Sequence, residues 1–420
     1  MISRTEEFSI NLAAQQTARL CLIKGSHRFL SSSDNINILP SDWVLVNTGH
    51  PKIVNEDWTF DEHLFQIEIL DSTAKHLAMM KSRKLGISEI MMRLALYWLI
   101  NIPRTTALYT LPTGDDVSRF HDTRIRPTLN SSPFLNSYVG DLDNKGSKKI
   151  GESFLTMRGT FNDRQAQAIE SDFLFVDELD YMPRPDLITD FRQSMAHSAY
   201  GFERDISTPR FPDTGIHAIY QSGSKSKWMV RCRRCDRWQY LTLEHIHEHD
   251  KYGYEYRCEK CKEFSIDRIH GKWEAEDNKA EVKSYHANQL VAPWISAKTI
   301  RTSKETEPFN RLEEKYYNQV LGLPHKGHSE AFIPSIVDMD GCRNKGLKWV
   351  GSYNSQGLAT MGVDWGKTSW CEVSMPDGDG GRVVLWVDWT DKGSKRNHAE
   401  YMADIAKRFN VGLCIADEGD

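Results

Sequence analysis

Lys81-Ser82-Arg83-Lys84-Leu85-Gly86-Ile87-Ser88 decides how the rest of this 420-residue chain reads. It follows a short apolar run, Leu77-Ala78-Met79-Met80, and precedes an apolar-rich stretch with helical spacing from Glu89 to Ile100. A strand, a tight glycine-bearing loop and a helix, in that order, aim backbone N–H groups and a helix N-terminus at a phosphate. The common P-loop spelling begins with Gly and ends in Gly-Lys-Ser/Thr. Gly86 and Ser88 keep that pattern, whereas Ile87 replaces its lysine and Lys81 stands in place of its first glycine. A lysine entering from the far side of the loop can still reach phosphates as a point charge, and Ser88 can hold Mg²⁺.

Upstream, His63 to Leu70 has a helical pattern and carries Gln66, where nucleotide-driven motors often set an amide against the adenine edge; an exposed helix glutamine is the other reading. Downstream, Thr105 to Leu111 predicts a second buried strand, and Pro112 to Asp116 a turn and helix start. Alternation of strand and helix predicts an α/β fold with a parallel sheet. In Asp172-Phe173-Leu174-Phe175-Val176-Asp177-Glu178-Leu179-Asp180, four apolar residues deliver two carboxylates at the end of a buried strand. Ligands bind at that edge of an open α/β sheet. Asp177 is placed to assist Mg²⁺ and Glu178 to orient an attacking water. Ser207-Thr208-Pro209, at another strand end, offers small hydroxyls to sense a terminal phosphate; ordinary turn chemistry is the other reading.

Cys232-Arg-Arg-Cys235 and Cys258-Glu-Lys-Cys261 enclose a 22-residue gap, the pattern of a four-thiolate zinc ribbon; His245, His247 and His249 are rival ligands. Around the first pair, Lys225, Lys227, Arg231, Arg233, Arg234 and Arg237 stand against a single acid, Asp236, with Trp228 and Trp238 between them. This is a candidate contact to a DNA backbone, or a solvated face. Residues 285–325 read as closing elements of the first domain. Two further apolar runs end in Asp364 and Asp417; such paired acids suit a two-metal (Mg²⁺/Mn²⁺) nuclease site, and strand capping is the bland alternative.

Composition sets the frame. The net charge is −5, so any DNA contact must come from local patches rather than a global basic field. The apolar run Met91–Ile100 is short and contains Arg93, so no membrane span is expected, and the N-terminus has no signal-peptide pattern. A cytoplasmic setting is the default expectation.

Taken in order, these motifs resemble the large subunit of a tailed-virus (phage) terminase, the ATPase–nuclease that packages DNA. The resemblance covers roughly 55–420 and rests on 81–88, Phe175–Asp180, Ser207–Pro209, the cysteine pairs, Leu321-Gly-Leu-Pro324 and Met361-Gly-Val-Asp-Trp-Gly366. The branch with a cysteine ribbon after Ser-Thr-Pro fits best and tolerates a lysine at the loop's start. The resemblance implies a P-loop (RecA/ASCE-like) ATPase domain over 56–335 with a zinc-ribbon-like insertion at 226–266. A linker at 336–357 and the start of an RNase H-like nuclease domain at 358–420 would follow. Residues 1–55 receive no role. It implies ATP and Mg²⁺ held by Lys81, Ser82, Arg83, Lys84, Leu85, Gly86, Ile87, Ser88 and Asp177, with Glu178 catalytic and Ser207-Thr208-Pro209 coupling hydrolysis to movement. A charge-stabilising arginine is expected among Arg83, Arg124 and Arg164. Asp364 and Asp417 would be the first two nuclease acids; the last acid would lie further on, so cleavage by this chain alone is not expected. Implied partners are double-stranded DNA, a portal protein, a small terminase subunit and further copies in a ring, in the host cytoplasm and transiently on the procapsid. The alternatives are a helicase-like ATPase, and a zinc-ribbon DNA-binding protein whose ATP site is vestigial, as Ile87 would suit.

Overall fold

The structure is a computed structural model that describes residues 38–50, 53, 56–161, 169–306, 308–310, 312–326, 359–365, 368–376, 382–390 and 395–416. Two compact units divide the chain, 1–329 and 330–420.

The strands of unit 1 are β1 (His76–Lys81), β2 (Thr106–Leu111), β3 (Val139–Asp143), β4 (Ser147–Ile150), β5 (Ser153–Gly159), β6 (Phe173–Asp177), β7 (Phe202–Ser207), β8 (Ser226–Cys232), β9 (Trp238–Tyr240), β10 (Ile246–His249), β11 (Gly253–Tyr256), β12 (Ile266–Glu274) and β13 (Lys283–Ala287). Its longer helices are α1 (Pro40–Asn47), α2 (Phe65–Asp71), α3 (Ile87–Asn101), α4 (Gly114–Phe120), α5 (Leu187–Gln193), α6 (Gly215–Ser222) and α7 (Ala297–Ser303). One sheet runs β12-β8-β13-β1-β7-β6-β2-β5-β4-β3, with β9 on β8. Its centre, β8 to β5, is parallel, and both ends turn antiparallel. Strands covered on both faces carry apolar runs instead of alternation. All five residues of β6 are accordingly buried. Helix α3 packs across the sheet, its Trp98 ring lying 4.7 Å from Phe173 and 5.3 Å from Phe202.

The strand ending in Ser207 lies between those ending in Lys81 and Asp177. Three motifs far apart in sequence therefore finish on one edge of the sheet.

Several expectations need revision. Residues 1–55, given no role from sequence, include a packed element: α1 sinks Trp43 and Val44 into the core, and Ser41 bonds the Asp71 carboxylate at 2.7–2.8 Å. The cysteine insertion is narrower than 226–266, because β8 and β12 are strands of the main sheet; only 233–265 lies between them. Arg124 sits in a π-helical turn, His121–Ile125, that continues α4. The antiparallel β3–β5 meander has no counterpart in the sequence reading. The linker 336–357 lies outside the described residues.

Unit 2 holds a four-stranded sheet, β16 (Arg382–Thr390), β15 (Ser369–Pro376), β14 (Ala359–Asp364) and β17 (Val411–Ala416), in that order, with α8 (Lys395–Arg408). β14 and β17 are parallel, and the other pairs antiparallel. Met402, Ile405 and Phe409 pack on Met361, Val363 and Val373. Among the described residues no helix is long and apolar enough to cross a membrane.

Candidate nucleotide site and cysteine cluster

The loop after β1 is pinned before it is presented. Ser82 N–H donates to Ala287 O (3.0 Å) and Arg83 N–H to Gln319 O (2.9 Å), so these two amides hold the loop against the end of β13 and the turn after it. Gly322, in Leu-Gly-Leu-Pro, closes that contact: a Cβ there would lie 2.7 Å from Ser82 N, and its φ is +60°. The N–H groups of Lys84, Leu85 and Gly86 have no protein partner among the described residues, and Lys84 and Gly86 both have positive φ. Such turns converge amides into an anion-binding concavity. Ile87 opens α3 with its side chain buried in the core, so position 87 has no reach to a phosphate.

Lys81, the last residue of β1, turns its Nζ to Glu178 Oε1 at 2.9 Å. Burial pushes the Glu178 carboxyl up, but the charge and hydrogen bond of Lys81, with the Thr208 N–H and Arg83, together outweigh it, and the net shift is downward. Glu178 adopts φ 59° and ψ 46°, a left-handed backbone that costs a non-glycine residue about 1–2 kcal/mol. Strain of this kind concentrates at functional sites.

Asp177 is buried. Tyr109 Oη donates to its Oδ2 at 2.7 Å, while Oδ1 has no hydrogen-bond partner. Burial, reinforced by Glu178, raises its carboxyl; the Ser88 hydroxyl is close enough to lower it slightly. An orphaned carboxylate oxygen beside a serine hydroxyl is an oxygen donor set that fits Mg²⁺, a hard cation. Tyr109 was missed from sequence, where it is one aromatic in a buried strand.

Ser207 and Thr208 are buried. The Ser207 Oγ accepts from Asp180 N–H (3.1 Å), and Thr208 N–H faces Glu178 Oε2 at 3.5 Å. Asp180 accepts from Arg210 N–H (2.9 Å) and Ile216 N–H (2.7 Å), tying the carboxylate strand to the segment after Pro209 and to α6. Burial pushes its carboxyl up to about 6.

A cavity of 1110 Å³ joins these groups, running from Lys81, Asp177 and Glu178 along 83–88 to Gln66, His63 and Trp294. Gln66 is buried; its Nε2 donates to Leu85 O at 2.8 Å, and its Oε1 is unpartnered. Of the arginine candidates, Arg83 and Arg124 line the cavity. Arg124 pairs with Glu89 at 2.5 Å; Arg164 lies outside the described residues. Arg119, which sequence did not single out, lines it too and pairs with Asp116.

The four cysteines converge, Cys232 Sγ to Cys261 Sγ at 3.6 Å and Cys235 Sγ to Cys258 Sγ at 3.7 Å. Sulfurs of a tetrahedral zinc site with bonds of about 2.3 Å stand roughly 3.8 Å apart, so the donor set fits zinc. After each pair a left-handed residue, Asp236 or Lys262, turns the chain back. The rival histidines are not in the set; His245 Nδ1 instead caps Thr242. The basic stretch is less free than sequence suggested. Lys225 and Lys227 pair with Glu276, Arg233 with Asp267, Arg234 with Glu263 and Arg237 with Glu259, acids that sequence proximity did not show. A second cluster, His76 with Glu203 and Asp205, is bonded by Arg192 and forms an internal ion-pair network.

In unit 2, Asp364 ends β14 beside a 600 Å³ cavity that Glu372 and Trp370 also line. Asp417 lies outside the described residues.

Comparison with known proteins gives a consistent result. The HK97 bacteriophage large terminase is 11% identical over 90% of this chain and 73% of its own, with a TM-score of 0.46. The large terminase ATPase domain of Thermus phage P74-26 is 14% identical over 61% of this chain and 92% of its own, with a TM-score of 0.40. No curated protein matches. A family model described as phage terminase large subunit gpA, ATPase domain, matches residues 55–279. That match spans more than half of the 420 residues, and the chain belongs to the phage terminase large subunit family, as a gpA-type ATPase domain.

Proposed function

We propose that this terminase subunit hydrolyses ATP at the Lys81–Glu178 site and uses the reaction to drive double-stranded DNA into a procapsid. The observation that carries the reading is the Lys81–Glu178 contact at 2.9 Å, next to buried Asp177 and within a cavity whose wall is the 81–88 loop. Free amides at 84–86 and the N-terminus of α3 bind the phosphates. Lys81 transfers its charge from Glu178 to the terminal phosphate. Ser88 and Asp177 would hold Mg²⁺, which would supply charge neutralisation to the phosphates. Glu178, released by Lys81, orients a water in line with the γ-phosphorus. The water oxygen bonds to phosphorus and gives its proton to the Glu178 carboxylate as the bond to the β–γ bridging oxygen breaks, and ADP leaves with that electron pair. Gln66 Oε1 meets the base. Thr208 and Ser207, bonded to the Glu178–Asp180 segment, convey the change to the strand between the two motifs.

The four cysteines hold zinc. Duplex DNA is gripped through its phosphates, so salt weakens the grip steeply. Portal, small subunit and neighbouring copies are the working partners, in the host cytoplasm on the procapsid. In unit 2 the nuclease reading is supported by register: Val363 pairs with Ala416, the residues preceding Asp364 and Asp417 in sequence. Such an acid pair would hold two Mg²⁺ or Mn²⁺ ions.

The test is ATP turnover by the chain and its Glu178→Gln variant, with and without duplex DNA. Turnover stimulated by DNA should fall at least about 100-fold in the variant, with ATP binding retained. A wild type that binds ATP yet shows no turnover with DNA would overturn the motor reading.

A further inference from the structure

We propose that Trp294, with His63 stacked on it, is the platform on which the nucleotide base lies, its edge turned toward Gln66. This rests on the nucleotide-site reading above and adds the residues that recognise the base.

The cavity is larger than the phosphate loop requires, and it extends to an aromatic pair. The rings of His63 and Trp294 stack at 4.0 Å with 18° between their planes. Trp294 is 37% exposed, whereas Trp43, Trp98 and Trp228 are at most 7% exposed. An indole exposed in a cleft has a face open to a planar ligand, and this one is held in place. The Arg268 guanidinium donates to the carbonyls of Leu290 (2.8 Å), Ile295 (2.9 Å) and Ala292, clamping the segment that carries Trp294. Arg268 is itself set over the Tyr256 ring at 4.4 Å. His63 is anchored through its Nδ1, 2.8 Å from Asp61 O. A platform rigid before binding loses little entropy when a ring stacks on it.

The second observation is independent of the rings. Gln66 is fully buried, and its Oε1 is unpartnered. Its Nε2 spends one N–H on Leu85 O, which fixes the amide's orientation and leaves Oε1 as the unpartnered acceptor. Buried acceptors seek donors. Adenine presents an amino donor at C6, where guanine presents a carbonyl oxygen. Gly86, whose Cβ position is 2.7 Å from Gln66 Nε2 and 4.0 Å from His63, joins the base end to the phosphate loop.

The experiment compares equilibrium binding of Mg-ATP and inorganic tripolyphosphate to the full chain and to Trp294→Ala and Trp294→Phe. Wild type should bind ATP more tightly than tripolyphosphate. Trp294→Ala should weaken ATP binding about 10-fold or more and leave tripolyphosphate unchanged, while Trp294→Phe restores most of the loss. In turnover, KM should rise with kcat little altered. Unchanged ATP affinity, or an equal loss for ATP and tripolyphosphate, overturns the platform. If wild type binds tripolyphosphate as tightly as ATP, the platform falls while the phosphate site stands. Binding of neither removes both readings.

Discussion

A methyl group at position 322 would meet Ser82 N at 2.7 Å and the Lys81 carbonyl carbon at 2.9 Å, with the backbone already at φ +60°. Both obstacles are backbone, so no side chain can swing aside. Gly322→Ala should therefore lower stability by about 1–3 kcal/mol and weaken ATP binding, because the loop it displaces is the phosphate loop. Urea unfolding and ATP titration check this; a variant indistinguishable in both would remove Gly322 from the account of the site. At this scale the legible residues were those whose role is written in local context: Gly86 and Ser88 in a loop, Asp177 and Glu178 after four apolar residues. Tyr109 was not legible, since its bond to Asp177 depends on β2 lying beside β6 in register. Nor was the pairing of Lys81 with Glu178, separated by 97 positions.

Elements carry the coupling between sites. Strand β13 ends in Ala287, whose carbonyl holds the phosphate loop. The residue before it, His286, lies within 2.8 Å of the Tyr240 hydroxyl in β9 and 3.2 Å of Leu321 O. Burial holds the His286 imidazolium down to about 4. Between that value and the ordinary 6.5, the unfolded chain binds more protons than the folded one. The contribution is thus fully present above pH 6.5 and is lost as pH falls through 4, amounting to about 3 kcal/mol over the whole window. Urea unfolding at pH 7 and 4.5 should show the wild type losing more stability on acidification than His286→Gln; parallel losses would exclude His286 as the cause. The central strands were legible because they are continuous apolar runs. β4 (Ser-Lys-Lys-Ile) and β15, which alternates buried and exposed residues along much of its length, carry too little of that signal. The partners of the basic stretch were hidden for a related reason, its acids coming from β12 and the loops around it.

For the whole molecule, an α/β fold with a parallel sheet could be anticipated, while the strand order and the antiparallel ends of the sheet could not. Zinc is the clearest test at this level. The purified chain should carry one zinc, and Cys235→Ser should reduce that to well below one by metal analysis. Stripping the metal should expose 233–265 to protease, since four unbridged thiols cannot hold two knuckles together. A full-length chain free of zinc and equally resistant would dismiss the metal. The way this segment is attached has a further consequence. It leaves β8 at Cys232 and returns on β12 at Ile266, directly opposite. A segment whose two ends enter and leave at neighbouring points can grow, shrink or be exchanged for a short turn without moving the strands that bear it. The Trp273 indole in β12 bonds Phe65 O at the head of the helix that carries Gln66, and Arg268 in the same strand clamps Trp294. The tip of the cysteine module can therefore vary in length, whereas its Tyr240, bonded to His286, and its Tyr256, beneath Arg268, hold its base to the same elements that β12 ties to the nucleotide pocket.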